Sequence, residues 1–171
     1  VKQTMERLIQ MGHRNIGIIG GYLDRSDTSQ RRFEGCSLAF REHDIAFDPT
    51  RDYVSARFSY TEGYRAAKEL TAGKKRYTAV FCMADVMAMG AIRALVDSGL
   101  RVPEDVSVVG FDGLPIGEFI VPRLSTVSQS VEELAQRGIE LLRGNIEGKR
   151  ICAREIIPAQ SQWKESVKAV E

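Results

Sequence analysis

The sequence predicts an α/β fold, an open parallel sheet with helices on both faces, and three observations carry that prediction. Residues 79–83 and 107–111 are short apolar runs of strand length. Between them residues 86–98 read as a helix, with Asp85 as N-cap, Gly99 just past the end and Pro103 forbidding continuation. A strand, a crossover helix and a second strand must pair in parallel. Ligands of open parallel sheets gather beyond the carboxyl ends of the strands, so Ala84-Asp85 and Asp112-Gly113 mark the place where polar chemistry is expected.

The other elements are taken in chain order. Met5, Leu8 and Ile9 form a helical stripe that closes at Gly12, and residues 15–19 form a first strand ending at Gly20-Gly21. No G-x-G-x-x-G fingerprint accompanies that glycine pair, so it reads as a plain tight turn. Residues 24–30 read as a polar loop and 31–42 as a helix with Phe33, Cys36, Ser37 and Phe40 on one face. This places Arg32 in a first turn, where the helix dipole disfavours a cation. Its compensating partner is either Asp24 or Asp27 in a surface ion pair, or ligand oxygens met by the guanidinium fork. Residues 52–56 form a strand, and Ser59 with Glu62 has capping-box spacing for a helix over 60–72, ended by Gly73. Phe58, just outside that cap, is either a hydrophobic staple or a ring for stacking on a sugar or base. Residues 114–122 are irregular and 124–129 form a strand. Ser130 and Glu133 repeat the capping spacing before a helix closed by Gly144, and a last strand lies near 153–157.

Composition narrows the function classes. Hydrophobic residues make up 43% and charged residues 27%, values of an ordinary soluble globule. A net charge of +1 with interspersed signs offers no electrostatic footprint for a phosphate backbone, so this stretch by itself is not expected to bind DNA. Cys36, Cys82 and Cys152 lie in or near apolar runs at wide spacing, which suits inert core thiols in a reducing compartment. No metal-ligand spacing surrounds His13 or His43, which fall in turn-like segments, and no G-x-S-x-G is present, so an enzyme, a metal site or a cofactor is not expected. There is no apolar run of membrane-spanning length and no signal peptide at Val1. The chain opens inside an amphipathic helix without a cap, as expected of a segment from the middle of a larger protein.

Several motifs occur together and in order: LIQMGHRNIGIIGG, RRFEGC, EGYRAAKEL, ADVMAMGAIRAL, GLRVPEDVSVVGFDG and PRLSTVSQ. With these the chain resembles the effector-binding region of the lactose/galactose-repressor (LacI/GalR) family of bacterial transcription regulators. The resemblance implies a periplasmic-binding-protein-like (type I) fold of two lobes. Residues 1–128 would form the C-terminal lobe, 129–157 a fragment of the N-terminal lobe, and 158–171 a return to the first. It implies that Arg32 of R-x-x-G contacts the effector, that Phe58 stacks on it, and that Asp112 of GFD holds its hydroxyls. Asp85 reads mainly as a helix cap beside the site. Ala84 stands where sugar-binding members carry asparagine, and Gln129 lies at the hinge, where it serves either the effector or nearby backbone groups. The resemblance also implies a cytoplasmic homodimer with Met89 and Ile120 in the two-fold contact, a sugar-like effector, and operator DNA bound through a helix-turn-helix that is not in this stretch. The helix over 86–98 suits such a contact, because it is apolar nearly all round and needs a second dry surface. The alternative class is a secreted sugar-binding protein of a transport system, which would share the fold.

Overall fold

A computed structural model describes residues 1–149 and 155–170. Among these described residues six strands form one sheet in the order β2-β1-β3-β4-β5-β6. The chain runs through α1 (Lys2–Gln10), β1 (Ile16–Gly20), α2 (Asp27–Glu42), α3 (Pro49–Asp52), β2 (Tyr53–Ser55) and α4 (Tyr60–Thr71). It continues through β3 (Ala79–Cys82), α5 (Asp85–Asp97), β4 (Ser107–Asp112), a 3-10 turn (Pro115–Glu118), β5 (Ser125–Ser128), α6 (Val131–Ile146) and β6 (Gln160–Gln162). Strands β1 to β5 pair in parallel, whereas β6 pairs antiparallel with β5, with Val127 opposite Ser161. The strand order reverses between β1 and β3, and such a switch point opens a crevice at the strands' carboxyl ends.

Both sheet faces are covered, which is why β1, β3 and most of β4 are continuous apolar runs rather than alternating ones. On one face α1 and α2 bury Met5, Leu8, Ile9, Cys36, Ala39 and Phe40 against Ile18, Phe81 and Val109. On the other α4 and α5 bury Ala66, Leu70, Met87, Ala91 and Leu95 against Ile19, Val80 and Val108. The backbones of α4 and α5 touch: a Cβ at Gly63 would fall 2.3 Å from the Met87 carbonyl, and one at Gly90 2.1 Å from that of Tyr60. This contact, with the sheet beneath, accounts for most of the apolar surface of α5. What faces outward is the narrower strip of Val86, Met89, Arg93 and Val96.

Several sequence expectations are corrected. Helix α2 begins at Asp27, four residues early, because the Ser26 hydroxyl accepts from Ser29 N at 3.2 Å and Asp27 complements the dipole in the first turn. A short α3 precedes β2, capped by Asp48 with Pro49 in its first turn. The Ser130 side chain makes no cap bond, and α6 runs through Gly144 to end before Gly148, at φ +70°. The strand placed near 153–157 falls largely outside the described residues, as does Cys152, and residues 155–157 carry no strand. His13 does lie in the loop between α1 and β1, but it is buried there, with Nδ1 3.0 Å from Thr78 Oγ1 and Nε2 2.9 Å from the Lys168 carbonyl. Gly99 does close α5, at φ +78°.

Candidate functional site

The crevice side of the sheet carries Gly20-Gly21 from β1, Arg57-Phe58 after β2, Met83 to Asp85 after β3, Asp112-Gly113 at the end of β4 and Gln129 after β5. Arg32 enters it from the second turn of α2, not the first, so the expected conflict with the helix dipole does not arise. Neither Asp24 nor Asp27 pairs with it; Asp24 instead lies 3.3 Å from Arg25. The Arg32 guanidinium donates through Nη1 to the Met83 carbonyl and lies 3.7 Å from the Phe111 ring centroid. Its Nη2 stands 3.6 Å from Asp112 Oδ1. Burial lowers the Arg32 pKa, which Asp112 opposes, and an arginine still stays charged at neutral pH.

Asp112 is the geometric centre of the cluster. Its φ is +121° and that of Gly113 is +79°, so the chain leaves β4 through two consecutive left-handed residues. For a residue with a Cβ this costs on the order of 1–3 kcal/mol, a strain typical of binding positions. Gln129 Nε2 donates to Asp112 Oδ1 at 3.1 Å, and Gln129 N donates to the Asp112 carbonyl at 3.3 Å. The Gln129 side chain thus meets a carboxylate of the candidate site, a partner that neither sequence reading named. Burial pushes the Asp112 carboxyl up, Arg32 pulls it down, Asp85 adds to the rise and Gln129 opposes it; the net direction is upward. Asp112 and Gln129 line an open pocket of about 530 Å³ together with Ser128, Gln160, and Glu132 and Glu133 of α6.

The structure brings Arg32, Asp112 and Gln129 into one bonded group and keeps Phe58 apart. The Phe58 ring is 46% exposed and rests over Gly21, where an added Cβ would come within 2.9 Å of the ring. The glycine pair is thus a close approach, in keeping with a turn. Ser59 caps α4 as expected, accepting from Glu62 N at 3.2 Å. Ala84 is buried, and it is the N-cap residue of α5. Asp85 is not a cap: it is the first helical residue, fully buried, with Oδ1 accepting from Thr126 Oγ1 and Oδ2 from Leu114 N, both at 2.6 Å. Both carboxylate oxygens are thereby engaged within the protein, below the pocket. Sequence reasoning missed Thr126 and the Met83 carbonyl, because backbone acceptors and tertiary hydroxyl partners leave no local pattern. Ser26 followed by Asp27 was a legible start signal.

This chain and its fold match a known family. The profile of the periplasmic binding protein-like domain matches residues 5–167. The HTH-type transcriptional repressor PurR of Haemophilus influenzae is 37% identical over 169 residues, covering 96% of this chain and 50% of the relative. The chain belongs to the LacI/GalR family. Among solved structures, the complex of the transcriptional regulator CelR with cellobiose is 32% identical at a TM-score of 0.89, covering 96% of this chain and 50% of that one. A dimeric Lac repressor with a C-terminal deletion is 25% identical at a TM-score of 0.92, covering 99% of this chain and 61% of that one. The chain spans about half the length of the curated relatives it matches. No helix among the described residues is long and apolar enough to cross a membrane, and no group of three or more His, Cys, Asp or Glu among them could hold a metal ion.

Proposed function

We propose that this chain is the effector-binding and dimerisation core of a bacterial transcriptional repressor, acting in the cytoplasm. Residues 1–128 and 158–171 form one lobe, and 129–157 belong to the second. Operator DNA is bound by a helix-turn-helix module outside these 171 residues, and the effector is a small sugar-like molecule. The observation that carries the reading is the Arg32–Asp112–Gln129 cluster at the switch-point crevice, built on a left-handed aspartate. A carboxylate so placed can accept two hydroxyl hydrogen bonds, and the Phe58 ring at the rim offers a stacking face. The relatives are repressors, and one structural neighbour is a complex with cellobiose.

The two-fold contact is proposed along the outward strip of α5, at Met89, and along the segment after the 3-10 turn, at Ile120. Phe119 and Val121 beside Ile120 are 82% and 91% exposed, more apolar surface than water favours. The dimeric Lac repressor among the structural neighbours supports this assignment.

A thermal-shift screen of the full-length regulator against sugars, sugar phosphates, nucleosides and purines tests the effector reading. A compound that binds the folded state stabilises it by about 2.7 kcal/mol at a hundredfold excess over Kd. Asp112→Ala is expected to keep the fold and weaken the best binder by about 1–3 kcal/mol, roughly ten- to hundredfold, because hydroxyls are left unpaired. Unchanged affinity in that variant overturns the assignment.

A further inference from the structure

Asp85 has no access to the pocket, yet each of its carboxylate oxygens accepts a hydrogen bond from within the protein. It stands at the first position of α5, where the dipole favours an anion. Its Oδ2 accepts from Leu114 N, two residues beyond Asp112, and its Oδ1 accepts from Thr126 Oγ1 on the neighbouring strand β5. The same Thr126 hydroxyl oxygen accepts from Gly113 N at 3.3 Å. The backbone immediately after Asp112 is therefore tied at two successive amides to one buried assembly. Room for that assembly is made by Gly110, where an added Cβ would lie 2.2 Å from Asp85 Oδ1. The glycine and aspartate of the GFD motif thus answer to one tertiary constraint.

We propose that Asp85 is a positioning residue: through Thr126 and the Gly113-Leu114 amides its buried carboxylate holds Asp112 in the left-handed conformation that sets it beside Arg32 and Gln129. A left-handed aspartate does not hold itself, since relaxation to an ordinary φ is downhill by the strain of that conformation. Gln129 N holds its carbonyl from β5's side, and the rest of the restraint comes from the residues next to it in the chain. Gly113 and Leu114 are the residues so restrained, and Asp85 with Thr126 supplies the acceptors. Burial by itself pushes the Asp85 carboxyl up, and the bonds from Thr126, Leu114 and Gly113 oppose that rise. The inference rests on the reading of Asp112 as the effector contact only for its functional meaning, because its test uses no effector.

The test is a double-mutant cycle read on the Asp112 carboxyl titration, by NMR of the full chain with labelled aspartate, the signal being assigned by its loss in Asp112→Asn. The charged groups that bear on Asp112 are Arg32 and Asp85, with the Gln129 amide as a neutral donor. In the otherwise unaltered chain, Arg32→Gln is expected to raise the Asp112 midpoint by about one pH unit, since a cation at this range favours the carboxylate. In the Asp85→Ala background the same Arg32→Gln change is expected to move the midpoint by less than half as much, because Asp112 has left its place beside the guanidinium. Taking the difference cancels the direct effect of removing the Asp85 charge. An undiminished rise means that Asp112 is held without Asp85 and overturns the proposal. If circular dichroism shows Asp85→Ala unfolded, Thr126→Val carries the cycle: a reduced rise supports the positioning role, and an undiminished one overturns it.

Discussion

At the scale of single residues, the contrast between Asp112 and Asp52 separates a site from a support. Both are carboxylates next to cations, but Asp52 is fully buried and surrounded by donors. Arg51 Nε and Nη2 reach it at 2.7 and 2.9 Å, Lys75 Nζ at 2.8 Å, Tyr77 Oη at 2.9 Å and Asp48 N at 3.0 Å. Burial pushes this carboxyl up, but the donors outweigh it and hold it well below the usual carboxylate range. A depressed folded pKa contributes stability above the unfolded value, near 3.9, and loses it as pH falls toward the folded value. Asp52→Asn is therefore expected to destabilise the chain at pH 7 by about 3 kcal/mol, the low end for a broken buried pair because Arg51 is half exposed. Urea denaturation checks this, and the gap between variant and parent should narrow below about pH 4, where the unfolded carboxylate takes up its proton. Nothing in the sequence marks Asp52, which reads only as the start of a strand; its donors come from α3 and the segment between α4 and β3. The thiols are legible: Cys36 and Cys82 are buried, and burial pushes the Cys36 thiol up to about 12, out of reach of reaction at neutral pH.

At the scale of elements, α5 shows how composition over-predicts an interface. A helix apolar nearly all round is expected to need a second dry surface, and most of that surface belongs to α4 and the sheet. Gly63 and Gly90 let the two backbones touch, a use of glycine that no periodicity reveals. The strip that remains open has a recess lined by Tyr60, Tyr64, Met89 and Arg93. A two-fold interface is self-complementary, so one substitution there is felt twice. In the proposed dimer, Met89→Asp is expected to set two like charges against each other and split the pair, at a cost on the order of several kcal/mol. Light scattering with circular dichroism reads the outcome: a folded monomer supports the contact, whereas an unfolded chain or an intact dimer refutes it.

At the scale of the whole molecule, α6 stands apart from the core. None of its residues is buried, and Val131, Ile139, Leu142 and Ile146 expose an apolar stripe that a lone helix in water does not favour. The pocket at Asp112 has the strand ends for one wall and little opposite them but the start of α6. Small-molecule sites bury most of their ligand, and one wall does not. Residues 1–171 alone are accordingly expected to bind the effector far more weakly than the full-length regulator. Calorimetry that found equal affinity for the two would refute a cleft completed by a second lobe.

The positions of β1, β3 and β4, the crossover helix with its Gly99 stop and the parallel sheet were determined by the sequence alone, because they rest on local periodicity, turn chemistry and topology rules, whereas Arg32, Phe58, Asp112 and Gln129 were singled out as one site by the family resemblance. The helix starts were less legible, since Ser130 has capping-box spacing with Glu133 yet makes no side-chain cap bond, whereas Ser26, which lacks that spacing, does. Tertiary structure alone decided that Arg32 pairs with Asp112 and stacks on Phe111, that Gln129 serves the same carboxylate, and that Asp85 turns inward to Thr126 and Leu114 instead of capping its own helix. The physical reason is the same in each case. A hydrogen bond between residues tens of positions apart depends on how strands and helices pack, and a side chain's donors and acceptors carry no record of which distant partner the packing will bring to them.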